Sequence, residues 1–357
     1  MRATFGIVLG TAVLAAVGLS LFLHRDEGQT GAVKAQTGAT NAQLTTADKA
    51  PTPNPNVWAE PVPPGTPPAL ASRVDDLLVK NDVTSAARVL LAADPREFND
   101  AAVRERAFRA ADALVAAGDV AKDSSATALR LDARRLYAAV YASDDASADE
   151  TAKAFDACAR LHQALLFGNG APDSLVLRHK VAAGEAIWAL ARGPWKQRGV
   201  TVPPGFVLHV NGIADARRLR VGQTLRVPLE AMKLLVRKSR FEIAVLLGGA
   251  PVERFPVAIG ADASTPSGVS RVRDRIKNPD WYFHGRRIPF GDPQNIIGTR
   301  WIGLSGAAAV EGIGIHGTSD DSSVGKAASM GCIRMHNADV EKLFEWVDAG
   351  TEVEIRD

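Results

Sequence analysis

The stretch His316–Met335, HGTSDDSSVGKAASMGCIRM, joins a histidine to one of only two cysteines in the chain. The spacer is made of small residues, and Gly331 stands directly before Cys332. Such residues leave backbone N–H groups free to turn, which is how a nucleophile is displayed. A thiol attacks an acyl carbon as thiolate, and a histidine within hydrogen-bond reach is the usual way to make one near neutral pH. His316 is therefore the candidate base and Cys332 the candidate nucleophile. The amides of Met330, Gly331 and Cys332 would converge on an oxyanion. A Cys/His pair at this separation is weak by itself, since such pairs arise by chance in long chains.

The flanking residues add specificity. The run resembles the signature of L,D-transpeptidase catalytic domains, His-Gly-Thr, a Gly-rich spacer, then Ser-His-Gly-Cys-Ile-Arg-Met, and it departs from that signature with Met330 where the family most often has histidine. The resemblance runs from about Met232 to the C-terminus. It includes KSRFEIAVLLGGAPVERFPVAIG at 238–260, TPSG at 265–268, NPDWYF at 278–283 and DPQNIIGTRWIGLS at 292–305. It implies a mainly β, sandwich-like catalytic domain at 232–357 with the cysteine facing a groove.

Outward from this region, the chain of 357 residues has room for two or three domains. A net charge of +2 and scattered basic residues, with no basic-aromatic stripe, give no sign of nucleic-acid binding. Two cysteines make no disulfide framework. Residues Phe5–Leu23 are uncharged and long enough to cross a bilayer, with Arg2 before them. Residues 1–23 are read as a signal anchor, or else a signal peptide cleaved near Ala16-Val17-Gly18. Either places the domains in the cell envelope outside the cytoplasm, the anchor tying them to the inner membrane. Residues 24–68, with eight prolines from Pro51 to Pro68, read as a tether. Trp58 within it is read as incidental.

Residues 69–170 read as an all-helical, repeat-like domain with apolar stripes such as Leu129, Ala133, Leu136, Val140 and Ala154, Cys158, Leu161, Leu165. Pro95, Ala117-Gly118-Asp119 and Ser143-Asp144-Asp145 are expected to punctuate it. Cys158 is expected to be a buried structural thiol, and His162 a packing or surface residue. A protein partner for this region is open.

Residues 177–228 carry a looser resemblance, to a lysin-motif (LysM) module. HKVAAGEAIWALA at 179–191 matches its opening strand and first helix, and VNGIADARRLRVGQTLRVP at 210–228 its end. Pro203-Pro204-Gly205 leaves the second helix short or missing. The resemblance implies a small α/β module that binds N-acetylglucosamine-containing glycan, with Gly184, Glu185, Ala186 and Asn211 near the groove. The alternative is a degenerate spacer between two domains.

Within the catalytic domain, FEIAVLLGG and VERFPVAIG read as a hairpin around Gly248-Gly249, and repeated short strands argue for a mainly β domain. Asn337 or Asp339 is expected to cap a helix running to about Val347, with TEVEI as the last strand. By resemblance, Gly317 supplies the carbonyl that orients the base, and Trp281 and Tyr282 border the substrate groove, as walls or packed beneath it. His284 belongs to the same segment. Ser329 and Thr318 either support the site or satisfy turn backbone. Arg334 either holds a substrate carboxylate or pairs internally with Asp320, Asp321 or Glu341. The implied reaction is cross-linking of peptidoglycan stem peptides through a Cys332 thioester. A stem peptide, a lipoprotein lysine or water would be the acceptor, water giving an L,D-carboxypeptidase. A catalytically silent wall-binding protein is the contrasting reading. No cofactor or metal is expected, since His24, His179, His209 and His336 form no ligand pattern.

Overall fold

A computed structural model describes residues 69–306 and 312–357 of the chain. The sequence expectations for the apolar run Phe5–Leu23 and for the tether at 24–68 lie outside the described residues. Among the described residues no helix is long and apolar enough to cross a membrane.

The helical region contains α1 (Leu70–Val79), α2 (Val83–Leu91), α3 (Ala101–Val120), α4 (Ser125–Ala142) and α5 (Ala148–His162). Their starts follow from capping chemistry. Asp82 accepts from the Ser85 amide at α2, Asp100 from Ala102 at α3, and Ser147 with Glu150 forms a reciprocal capping box at α5. Pro95 opens a 3-10 turn, Pro95–Asn99, that separates α2 from α3 as expected. Ser143 ends α4. Ala117-Gly118-Asp119, by contrast, does not break α3. A Cβ on Gly118 would stand 3.2 Å from the Arg130 side chain, so this glycine lets α4 approach rather than stopping the helix. The stripe residues Ala133, Leu136, Val140, Ala154, Cys158, Leu161 and Leu165 are all buried, and His162 with them.

The next segment pairs β1 (Val176–Lys180) antiparallel with β2 (Thr224–Pro228), with the short helices α6 (Ile187–Arg192), α7 (Pro194–Gln197) and α8 (Pro204–Val210) between them. Pro204 sits at the first position of α8, where its missing N–H costs nothing. The doubtful second helix therefore exists and is short.

The C-terminal domain is built on one eight-stranded sheet ordered β13-β11-β10-β7-β14-β3-β4-β5. Its strands are β3 (Met232–Arg237), β4 (Glu242–Leu247), β5 (Ala250–Pro256), β7 (Gly268–Lys277), β10 (Arg300–Ser305), β11 (Gly314–His316), β13 (Ile333–Arg334) and β14 (Glu352–Arg356). Two smaller pairs accompany it, β6 (Ile259–Gly260) with β12 (Ala327–Ser329), and β8 (Trp281–Phe283) with β9 (Arg286–Ile288). Gly248 and Gly249 take positive φ and close the β4–β5 hairpin where the sequence put it. Ala258 and Arg334 exchange backbone hydrogen bonds, 2.8 and 2.9 Å. The segment after β5 thus returns to β13 at the opposite end of the strand order, and the sheet curls instead of forming two facing layers. The last helix, α9 (Asn337–Trp346), covers β10 and β11. Neither Asn337 nor Asp339 caps it: His336 holds the cap position without a side-chain bond.

The three regions share one apolar core. The helical region lies against the β5 end of the sheet, where an unpaired edge would otherwise face solvent. Polar contacts pin it there. Buried Arg237 donates to the Tyr141 carbonyl and to Glu242, and Tyr141 Oη donates to Glu242 at 2.7 Å. Arg240 donates to Ser143 O (3.1 Å), Ala146 O (2.7 Å) and Thr151 Oγ1 (2.8 Å). Arg134 pairs with Glu230. At the other junction, a Cβ on Gly205 of α8 would collide with the Glu345 carbonyl of α9. Phe206 and His209 meet Trp346 with ring centroids 5.2 and 4.5 Å apart.

Candidate active site

His316 ends β11 and is 4% exposed. Its Nδ1 lies 2.6 Å from the Gly317 carbonyl oxygen. A carbonyl only accepts, so Nδ1 carries the proton and Nε2 of the neutral ring is left as the basic nitrogen. The carbonyl expected from Gly317 therefore stands where it can fix the tautomer. Burial pushes the imidazole down to about 4, opposed by the Gly317 and Ile297 carbonyls and reinforced by the Arg334 charge. The ring is neutral at physiological pH.

Cys332 lies between β12 and β13, half-buried. Its thiol donates to the Gly312 carbonyl at 3.6 Å. Burial pushes the thiol up, opposed by a backbone hydrogen bond at Gly314 and by Arg334. Thiol and imidazole are thus both neutral at rest. They share a cavity of about 310 Å³ with Trp281, Tyr282, Ile297, Trp301, Met330 and Arg334. Such an arrangement suits proton transfer as the sulfur attacks more than a standing thiolate–imidazolium pair.

The loop before Cys332 is held by its own polar groups. Ser329 Oγ donates to the Cys332 carbonyl at 2.5 Å and accepts from the Gly331 amide at 3.2 Å. Of the three candidate oxyanion donors, the Gly331 amide is therefore engaged in this state. Gly331 has φ +120°, and a Cβ there would sit 3.0 Å from Ile313 and 3.1 Å from the Ser264 carbonyl, so the position calls for glycine. Thr265, fully buried, donates to the Gly331 carbonyl at 2.8 Å and accepts from the Gly260 amide at 2.7 Å. The sequence flagged Thr265 only as part of a matching block.

On the base side, Thr318 exchanges hydrogen bonds with Asp320 backbone (3.0 and 3.3 Å), which is turn chemistry. Asn337 has a larger part than capping. Its Oδ1 accepts from the Thr299 amide at 3.0 Å and its Nδ2 donates to the Thr318 carbonyl at 2.8 Å, tying α9, β10 and the loop after His316 together.

Arg334 has no carboxylate partner among the described residues. Glu341 stands 3.7 Å from Arg300, Asp321 is 2.9 Å from His336, and Asp320 accepts from Ser322. The Nε of Arg334 is buried without a hydrogen-bond partner. Trp281 and Tyr282 wall the cavity instead of packing beneath it, Trp281 stacked on Phe283 and Tyr282 71% exposed. His284 packs on Phe283 outside the cavity lining. Met330 is 68% exposed at the rim. Trp301, which sequence reasoning left unremarked, stacks on His316.

The residues expected to bind glycan lie in the β1–β2 module. Glu185 accepts from the Ala182 amide and meets His179 Nε2, both at 2.8 Å. The Asn211 side chain donates to Val207 O (2.7 Å) and Arg226 O (2.8 Å) and accepts from the Arg226 amide (2.9 Å), stitching α8 to β2. Gly184 takes φ +79° in the turn that Ala186 closes before α6. Among the described residues no group of three or more His, Cys, Asp or Glu side chains is placed to hold a metal ion.

Comparison with known proteins identifies the family of the C-terminal domain. The YkuD family, described as the L,D-transpeptidase catalytic domain, matches residues 232–355. A Bacillus subtilis protein whose name, YqjB, carries the L,D-transpeptidase designation is 42% identical over 127 residues, 35% of this chain and 70% of that protein. B. subtilis YkuD is 36% identical over 32% of this chain and 58% of its own length. Escherichia coli YcfS, also named for this activity, is 31% identical over 42% of this chain and 55% of its own. The chain thus spans little more than half the length of these last two relatives. A solved L,D-transpeptidase from Mycobacterium smegmatis overlaps 37% of this chain and 63% of its own, at 14% identity and a TM-score of 0.30. With the matched segment coinciding with the curled sheet and with the loop from His316 to Cys332, the chain belongs to the L,D-transpeptidase family.

Proposed function

We propose that the chain is a peptidoglycan L,D-transpeptidase. The observation that carries this reading is a buried imidazole, its Nδ1 held by the Gly317 carbonyl, in one cavity with the Cys332 thiol and with Arg334, which has no carboxylate partner among the described residues. Cys332 attacks the carbonyl of the L-centre that precedes a terminal D-alanine in a stem tetrapeptide. The S–C bond forms while the thiol proton passes to Nε2 of His316. The amides of Met330 and Cys332 face the oxyanion, joined by Gly331 if its bond to Ser329 opens. Collapse breaks the C–N bond, the imidazolium returns its proton to the leaving amine, and D-alanine departs. An amine from a second stem then attacks the thioester, gives its proton to His316 and releases Cys332. Water in that place would give an L,D-carboxypeptidase, and a lipoprotein lysine would give an anchored lipoprotein.

Arg334 holds a substrate carboxylate, its planar fork suited to that anion. Trp281 and Tyr282 supply the apolar wall, and Ser329 and Thr318 keep the loops in shape. The module at 177–228 docks the enzyme on glycan strands beside Gly184, Glu185, Ala186 and Asn211. The Glu185 side chain is engaged by the Ala182 amide and His179, and that of Asn211 by backbone groups, so main-chain groups and the hollow lined by Asn211, Gly212, Arg218 and Val221 would make the contact. The site of action is the cell envelope outside the cytoplasm, with residues 1–23 as the membrane anchor.

The test is intact-mass spectrometry after incubation with a carbapenem, followed by stem tetrapeptide. A covalent adduct that Cys332→Ala lacks, with D-alanine release and a cross-linked product, supports the reading. A folded protein that never acylates would favour the silent wall-binding alternative.

A further inference from the structure

We propose that Trp301 is a positioning residue for the catalytic base, holding the His316 ring by its face while the Gly317 carbonyl holds it by its edge. Trp301 on β10 is the direct cross-strand partner of His316 on β11, so both side chains leave the sheet on one face. Their rings lie nearly parallel, 22° apart, with centroids separated by 5.9 Å. Two residues earlier on β11, on that same face, stands Gly314. A Cβ there would come 2.7 Å from both Cη2 and Cζ2 of the indole. The six-membered ring of Trp301 thus lies across a position left empty for it, along β11 beside the imidazole. The Gly314 backbone also bonds to the Cys332 sulfur, whose own hydrogen goes to the Gly312 carbonyl, so the indole runs from His316 towards Cys332.

The Gly317 carbonyl, with that of Ile297 also acting on the ring, holds the imidazole by its edge and leaves its faces unrestrained. A flat apolar surface against its face removes that freedom and keeps Nε2 directed into the cavity. It also excludes water from that face, which favours the neutral ring. The titratable groups sharing the cavity with His316 are Cys332, Arg334, Tyr282 and Asp280. Asp280 is already committed to Arg287, and Arg334 disfavours the protonated ring as the indole does. The role depends on the transpeptidase reading for the reaction it serves, but the ring contact does not.

The test uses the full chain with ring-labelled histidine, His316 being assigned by loss of its signal in His316→Gln. Expected is that Trp301→Leu moves the His316 titration midpoint upward by about one pH unit or more, with Trp301→Phe moving it less in the same direction. With carbapenem, the limiting acylation rate of Trp301→Leu should fall about tenfold while the half-saturating concentration stays within about twofold. A midpoint unchanged in Trp301→Phe, or an unchanged limiting rate with a raised half-saturating concentration, would make Trp301 a substrate wall only and overturn the proposal. If Trp301→Leu does not fold, the Phe variant decides alone. If the wild type never acylates, the transpeptidase reading fails while the ring titration still tests the contact.

Discussion

Thr265 and Gly331, 66 residues apart, are joined by a 2.8 Å hydrogen bond from the threonine hydroxyl to the carbonyl of the residue before Cys332. The same oxygen accepts from the Gly260 amide, so one buried hydroxyl ties β6 to the loop that displays Cys332. Thr265→Val keeps the shape and orphans both backbone groups, each costing about 1–3 kcal/mol. We expect a lowered melting temperature and about a tenfold loss of acylation rate, with Thr265→Ser close to wild type. Wild-type acylation by Thr265→Val would show that the loop positions itself without this link.

Cys332→Ala and His316→Ala should each reduce turnover by about a thousandfold or more. Cys158→Ala should leave it intact: that thiol is fully buried, pushed up to about 12 by desolvation, and points at the Arg134 carbonyl. Adduct mass and D-alanine release check all three. Equal losses would mean the two thiols have been assigned the wrong roles.

The rate's pH profile distinguishes a standing thiolate from coupled proton transfer. His316 must be neutral to accept the proton, and with its folded value near 4 it is competent throughout the neutral range and lost only as pH falls through about 4. The thiol is pushed above its ordinary range, so ionisation begins only in alkali. Acylation should therefore be level between about pH 5.5 and 8. A rise of about a decade per pH unit across that interval would require a preformed thiolate and refute the coupled step.

Acid should loosen the helical region through His162. Both its ring nitrogens are buried without partners among the described residues, and burial beside Arg134 lowers it to about 3 from the ordinary histidine value of 6.5. The unfolded chain binds the proton more readily, so this contribution is intact above about pH 6.5 and drains away below it, by about 1.4 kcal/mol per unit. In urea titrations at pH 7 and pH 5, His162→Leu should lose about 2 kcal/mol less than wild type between the two. Identical losses would mean that His162 finds a partner or water on acidification.

Arg240 carries the polar side of the joint between the helices and the sheet, donating to three carbonyls in the α4–α5 connection and to Thr151. Arg240→Ala should destabilise by about 2–4 kcal/mol and raise hydrogen exchange at 143–151 ahead of the catalytic sheet. Uniform exchange across both regions would mean that the joint opens only with global unfolding.

The loop that joins His316 to Cys332, the β4–β5 hairpin and the apolar stripes of the helical region were legible because each is written in contiguous or periodic residues. What tunes the site was not, for a common reason. Thr265, Trp301 and Asn337 act on backbone or rings 15 to 66 residues away in sequence, reached only once the sheet curls. Asn337 shows the limit most directly. Its place before an apolar helical run is that of a helix cap, but the structure gives its amide two partners on other elements and leaves the helix start bare. Gly118 misled in the opposite sense: glycine and aspartate spell a turn, but here the missing side chain serves helix packing. The sequence left Arg334 between a substrate carboxylate and an internal ion pair, and the structure sets two of the three carboxylates named for that pair elsewhere, Glu341 beside Arg300 and Asp321 beside His336.

The contact between Gly205 and Glu345 bears on how such proteins can be recombined. A boundary drawn between Pro228 and Met232 looks like a convenient cut point. The small module nevertheless presses its backbone into that of α9, whose far end carries Asn337 and through it the Thr318 carbonyl next to the base. A chimera that imports a foreign module at that seam would bring a side chain where only hydrogen fits, at a cost of about 1–3 kcal/mol for overpacking. Shuffling would have to move the module together with the matching face of α9, so the inheritable unit is larger than either sequence segment.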